Sequence, residues 1–185
     1  MVYILLGNGF EEAEALVTAD VLRRGNVPVT LAGIGGASVT GGHGITVLAD
    51  APVEEVSPAS GDMVVLPGGM GGVASMEGSA AAMALIRRAA GDSSVWLGAI
   101  CAAPTLLARA GLLPPGVRAV CYPGMEPLLA DAGAVPCMER AAVRDGMLIT
   151  GKGPGAAYDF GLALLEALAG PDTAGAVRAD LHYQE

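Results

Sequence analysis

A doubly wound α/β fold, a mostly parallel sheet with helices on both faces, is predicted by two observations. Short β-branched or aliphatic runs recur along the 185 residues with helical segments between them, the rhythm of a parallel sheet covered on both sides. No Ser- or Pro-rich linker or block of charge divides the chain, so its length predicts one domain over residues 1–185 with one sizeable core.

Residues 2–6 read as the first strand, an apolar run cut off by Gly7. Residues 12–24 follow as a helix, because Ala13, Leu16, Val17, Val21 and Leu22 form one apolar stripe. A second strand is expected over 27–32. The stretch 38–49 alternates around Gly41-Gly42 without a helix signal, which predicts a hairpin-like excursion at the sheet edge. Strand 62–66 returns to the core, and helix 79–90 leads to strand 95–100. Helix 102–110 ends at Gly111, ahead of the Pro114-Pro115 break. Strand 117–121, a short helix 125–132, strands 134–138 and 147–150, and helices 155–169 and 171–180 complete the expected order. The chain has no internal repeat, and its Ala-rich stretches are helix filler.

The chain is 52% hydrophobic and 16% charged, but no apolar run reaches the roughly 18 residues of a spanning helix. A soluble protein is expected. The opening run lacks a basic start and is too short for a signal-peptide core, so a cytoplasmic location follows as the expectation. A net charge of −9, with no basic cluster longer than Arg23-Arg24 and Arg87-Arg88, disfavours nucleic acid and acidic membranes as partners. The 3 cysteines lack C-x-x-C spacing and only 2 His are present, so neither a disulfide framework nor a zinc site is indicated. Free thiols and no metal are expected.

Ligands of open parallel sheets bind beyond the carboxyl ends of the strands, which directs the search to the loops 7–14, 67–72, 99–104 and 151–155. Cys101 ends an apolar strand and begins a helix, beside unsatisfied helix N–H groups that favour a thiolate with a lowered pKa. The competing reading of Cys101 is a small buried hydrophobe. Gly68-Gly69 lets backbone N–H groups approach a ligand, with the N–H of Ala102 as the second arm of an oxyanion site; equally, a Gly-rich turn can be only a turn. Glu11, Glu12 and Glu14 crowd the first helix start, where the macrodipole alone favours acids. One of them turned inward would share a proton with a thiolate, and spacing does not choose among them.

Two phosphate-loop readings fail on chemistry. Glu12 stands where a dinucleotide fingerprint after Gly7-Asn8-Gly9 needs its third Gly. Gly151-Lys152-Gly153 lacks a Walker spacing and its Ser/Thr, so Lys152 is read as solvated and Pro154 as the first residue of a helix. His43 and His182 have no context of a catalytic base. Cys121-Tyr122-Pro123 is either pocket lining or a packed strand end, and Met70, Met76 and Met125 are read as packing.

Taken together, G-F-E-E-A-E, L-P-G-G, A-I-C-A-A-P and G-K-G-P-G, in this order over nearly the whole chain, resemble the ThiJ/PfpI superfamily and specifically its DJ-one branch. The resemblance implies a flavodoxin-like fold and a homodimer. It matches Cys101 to the elbow nucleophile, Glu14 to the acid bonded to its sulfur, and Gly69 with Ala102 to the oxyanion donors. Gly68, Tyr122 and Pro154 are then the candidates for lining the pocket. Protease-like and Hsp-like branches carry His after the nucleophile; Ala102 stands there, which disfavours peptidase activity. Many DJ-one relatives carry His before Pro where this chain has Tyr122, so a standard Cys–His pair is not implied.

The activity implied is that of a cofactor-free glyoxalase or deglycase on small reactive carbonyls such as methylglyoxal, giving lactate and protecting against oxidative stress. In it the Cys101 thiolate adds to an aldehyde, Glu14 moves protons, and each N–H donor stabilises the alkoxide by about 2.7–4 kcal/mol. The rival is a non-enzymatic redox sensor or redox-regulated chaperone in which Cys101 is oxidised to the sulfinate.

Overall fold

The apolar runs marked as strands lie side by side in one seven-stranded sheet in the computed structural model, which describes residues 1–183. In chain order the elements are β1 (Val2–Leu6), α1 (Glu12–Arg24), β2 (Val29–Gly33), β3 (Ser38–Thr40), β4 (Thr46–Leu48), β5 (Ala51–Pro52), β6 (Met63–Leu66) and α2 (Met70–Gly78). They continue as α3 (Ala80–Gly91), β7 (Trp96–Ile100), α4 (Ala103–Arg109), β8 (Arg118–Ala119), α5 (Glu126–Asp131), β9 (Val135–Pro136), β10 (Ala142–Asp145), β11 (Leu148–Gly151), α6 (Ala157–Ala169) and α7 (Pro171–Asp180).

The sheet order is β10-β11-β7-β6-β1-β2-β5, and every neighbour pair is parallel except β10 with β11. From β1 the chain first builds outward through β2 to β5, then crosses back to β6 and builds the other way. Right-handed crossovers running in opposite directions put α1 and α3 on opposite faces. Accordingly α1 packs with α6 over β1, β2, β7 and β11, and α3 packs on β6 and β7. Burial on both faces explains why Met63–Leu66 is a continuous apolar run and why every residue of Leu148–Gly151 is buried, Thr150 among them. The reversal of strand order opens a crevice beyond the carboxyl ends of β1 and β6, where such folds bind ligands.

Several expected elements differ. The 38–49 excursion is an antiparallel hairpin, β3 with β4, but it forms its own small sheet, and the sheet edge on that side is β5. The strand expected over 117–121 shrinks to β8, paired in parallel with β9 apart from the main sheet. Its continuation is held by side-chain and loop bonds instead: Val120 N–H donates to Thr150 Oγ1 at 2.9 Å and Tyr122 N–H to the Cys101 carbonyl at 2.9 Å. Edge strand β10 reads Ala-Val-Arg-Asp and has no apolar run to announce it. Helix α2 is unannounced too, because Gly71 and Gly72 open it. A Cβ at position 72 would lie 2.7 Å from Phe10 Cα, so close approach of the first loop sets that composition. Among the described residues no helix is long and apolar enough to cross a membrane.

Candidate active site

β7 delivers Cys101 into the crevice on a strained turn. Its φ is +65°, in the left-handed region that costs a non-Gly residue about 1–3 kcal/mol and persists only when the surroundings over-determine it. They do: Cys101 N–H donates to the Gly151 carbonyl at 2.9 Å, and its own carbonyl accepts from Tyr122 N–H at 2.9 Å. The turn places Cys101 at the start of α4, where the residue as a whole is only 8% exposed.

Glu14, in the first turn of α1, is fully buried beside this sulfur. Its Oε2 accepts from Gly68 N–H at 2.7 Å, while Oε1 has no hydrogen-bond partner among the described residues. Gly68 makes the approach of thiol and carboxyl possible. A Cβ there would lie 2.6 Å from Cys101 Cβ, 2.7 Å from Glu14 Oε2 and 3.0 Å from the sulfur. Gly69 follows at φ +78°, where a Cβ would run into the Gly9 carbonyl. The N–H groups of Gly69 and Ala102 lie near enough to the Cys101 sulfur to favour its thiolate.

Burial pushes the Glu14 carboxyl up to about 7, against the hydrogen bonds from Cys101 and Gly68 and with the charge of Glu11 adding to the rise. Burial likewise pushes the Cys101 thiol up to about 12; the charge of Glu14 and its hydrogen bond add to the rise, and the Gly69 and Ala102 N–H groups oppose it. The helix start alone therefore does not give Cys101 the lowered pKa expected from its position, because desolvation beside a carboxylate outweighs two N–H donors. The two groups titrate as a pair. Near pH 7 the pair sheds its first proton, and the sulfur carries the remaining charge only while Glu14 holds the proton.

Cys101, with Glu14 buried behind it, opens onto a cleft of about 360 Å³ lined also by Glu11, Gly69, Met70, Ala102, Tyr122, Met125 and Pro154. Met70 is 65% exposed on its rim and Met125 lines it, whereas Met76 is core. Tyr122 lies over Gly153 and is half exposed, which makes it cleft lining and not a packed strand end. Larger depressions, such as one of about 650 Å³ beside α6 and α7, contain no thiol.

The other two acids divide their roles. Glu11 lines the cleft, while Glu12 turns away and is wrapped by the hairpin: its Oε1 accepts from His43 N–H at 2.8 Å and Ile45 N–H at 3.3 Å, and its Oε2 lies 2.9 Å from His43 Nδ1. Although burial acts to raise it, these bonds hold the Glu12 carboxyl at about 2, and the same contact raises His43. Glu11, Glu12 and His43 bring ligand-type atoms within 4.8 Å of one another, but Glu12 Oε1 is already committed to two backbone N–H groups and Oε2 to the His43 ring, which makes this cluster a hairpin anchor. Spacing alone could not assign Glu12 this task, since its partners lie 31 and 33 residues away. His182 is exposed beyond α7. Lys152, expected in solvent, is half buried with its ammonium donating to the Met138 carbonyl.

Comparison with known proteins bears on the family and the fold. Residues 1–167 match the DJ-1/PfpI family. Protein dj-1beta of Drosophila melanogaster is 39% identical over 170 residues, covering 91% of this chain and 89% of that one. The glutathione-independent glyoxalase DJR-1.2 of Caenorhabditis elegans is 31% identical over 162 residues, covering 88% and 84%. The crystal structure of Drosophila melanogaster DJ-1beta superposes with a TM-score of 0.91 at 36% identity, over 100% of this chain and 98% of that one.

Proposed function

The chain belongs to the DJ-1/PfpI family, and from that premise we propose that it is a cysteine-dependent, cofactor-free enzyme acting on small reactive carbonyls, converting methylglyoxal to lactate. The observation that carries this reading is the buried Glu14 carboxyl set against the Cys101 thiol, between two N–H donors. A relative similar over most of its length is a glutathione-independent glyoxalase.

The chemistry is an internal redox exchange. Cys101 sulfur adds to the aldehyde carbon while its proton resides on Glu14, and the Gly69 and Ala102 N–H groups stabilise the oxyanion of the hemithioacetal. Glu14 then gives the thiol proton to that oxyanion, and the freed carboxylate takes the C1 proton to leave an enediolate; Glu14 returns this proton at C2 while the C1 hydroxyl proton passes to the C2 oxygen, so C1 is oxidised to a thioester as C2 is reduced to an alcohol. Water then cleaves the thioester, releasing lactate and restoring the thiol. No external oxidant or reductant enters the balance. Among the described residues neither His lines the cleft, which leaves proton transfer to the carboxyl whose pKa of about 7 suits both directions.

Lactate formation from methylglyoxal without glutathione tests the proposal. Native protein should form lactate, and Cys101→Ser should not. Equal, background-level lactate from both proteins would refute catalysis and leave oxidation of Cys101 as the function of the site.

A further inference from the structure

We infer that Glu77, Arg109 and Thr105 form a positioning network that sets the spacing of the two donor N–H groups across Cys101. The inference rests on reading Gly69 and Ala102 as donors to the sulfur, and it concerns residues outside the cleft.

Each donor is fixed locally by its own peptide plane. The plane carrying Gly69 N–H ends in the Gly68 carbonyl, which accepts from Glu11 N–H at 3.1 Å. The plane carrying Ala102 N–H ends in the Cys101 carbonyl, which accepts from Tyr122 N–H at 2.9 Å. These bonds orient each donor, but the separation between the donors depends on how α2, which starts after Gly69, lies against α4, which starts after Ala102.

A single chain of polar contacts joins the far ends of those helices. Arg109, the last residue of α4, donates from Nε and Nη2 to Glu77 Oε1 in the last turn of α2, at 3.1 and 2.7 Å. Its Nη1 donates to Thr105 Oγ1 at 2.9 Å, and that hydroxyl donates to the Ala102 carbonyl at 2.8 Å. Thr105 N–H reaches the same carbonyl at 3.0 Å. Thr105 is almost completely buried, so its hydroxyl has one acceptor to serve and one donor to receive. The donations diverge from the guanidinium, one way to the Glu77 carboxylate and the other through the Thr105 hydroxyl to the carbonyl of Ala102, the residue that follows the nucleophile. Glu77 and Arg109 are each 40% exposed, so salt screens the ion pair and its loss leaves no buried charge.

The test compares Arg109→Met, Glu77→Gln and the conservative Arg109→Lys, whose ammonium still offers donors to both Glu77 and Thr105. Two quantities are followed: the pH dependence of Cys101 alkylation by iodoacetamide, and kcat and KM for methylglyoxal. Arg109→Met and Glu77→Gln should each keep a melting temperature close to native, ionise Cys101 at a higher pH, and lose kcat on the order of tenfold with KM little changed, as misplaced reacting groups do. Arg109→Lys should recover most of both. Raised ionic strength should move native protein toward Arg109→Met and Glu77→Gln and leave those two unaffected. An unchanged alkylation profile in both Arg109→Met and Glu77→Gln overturns the inference, and so does an Arg109→Lys variant as shifted as Arg109→Met. Native protein that forms no lactate, while its alkylation still responds to Arg109 and Glu77, would refute the carbonyl chemistry and leave this network standing.

Discussion

Replacing Glu14 by Gln keeps the shape of the buried side chain and removes its ionisation, so the variant isolates one term in the stability of the fold. In the folded protein the Glu14 carboxyl titrates at about 7, against 4.5 for an ordinary Glu. The folded state thus holds a proton that the unfolded chain releases between these values. Stability from the neutral carboxyl is fully present below pH 4.5 and is lost as pH rises through 7. The rise is equivalent to ~3 kcal/mol. Relative to Glu14→Gln, native protein should therefore lose about that much between pH 4.5 and pH 8. Glu12 has the opposite sign: its folded value of about 2 gives stability that is lost only as pH falls below 4.5, outside this window. His43, raised by its contact with Glu12, is present in both proteins and cancels in their difference. Urea denaturation across pH 5–8 at fixed protein concentration measures the quantity. Native and Glu14→Gln stabilities that run parallel across this range would refute the burial of a neutral carboxyl beside Cys101.

Gly68→Ala places a methyl group against both members of the pair; carbonyl turnover should be abolished and urea stability reduced by about 1–3 kcal/mol, and retention of activity would show that the two groups need not be so close. Glu12→Ala removes the anchor of the β3–β4 hairpin, so stability should fall by about 1.5–3 kcal/mol and limited proteolysis should cut within residues 41–45. An uncut hairpin would refute the anchoring role. The apolar Ile45 and Leu48 exposed on that hairpin, at 53% and 74%, fit the homodimer that the resemblance implies; light scattering at micromolar concentration should give twice the chain mass, and a strictly monomeric mass would contradict it.

The main strands and long helices were legible in the sequence because burial on both faces writes continuous apolar runs, and an amphipathic stripe such as that of α1 marks a helix. Short or edge elements were not. β10 carries Arg144 and Asp145 because it lies at the rim, and α2 opens with glycines dictated by the loop it meets. At the site, the strand-to-helix position of Cys101 pointed to a tight turn, and its φ of +65° is that turn. The choice of Glu14 over its neighbours came only from family resemblance, since which acid of a helix start turns inward depends on elements far away in the chain. The upward Cys101 shift escapes the sequence for the same reason: a helix start is visible locally, whereas the burial that overrides it, and the Glu14 carboxylate that adds to it from 87 residues earlier, come from elements far away in the chain. Met70 looked like packing because composition does not distinguish a core thioether from one on a cleft rim.

The most direct test of the central claim is a single turnover of methylglyoxal by excess protein, quenched in acid, with lactate and the acyl group on each cysteine quantified together. Native protein should carry a lactoyl group on Cys101, not on Cys121 or Cys137, and that group should give way to free lactate. Glu14→Gln should form neither the acyl group nor lactate at a native rate. Lactate appearing at the native rate from Cys101→Ser, or an acyl group on a different cysteine, would contradict the account.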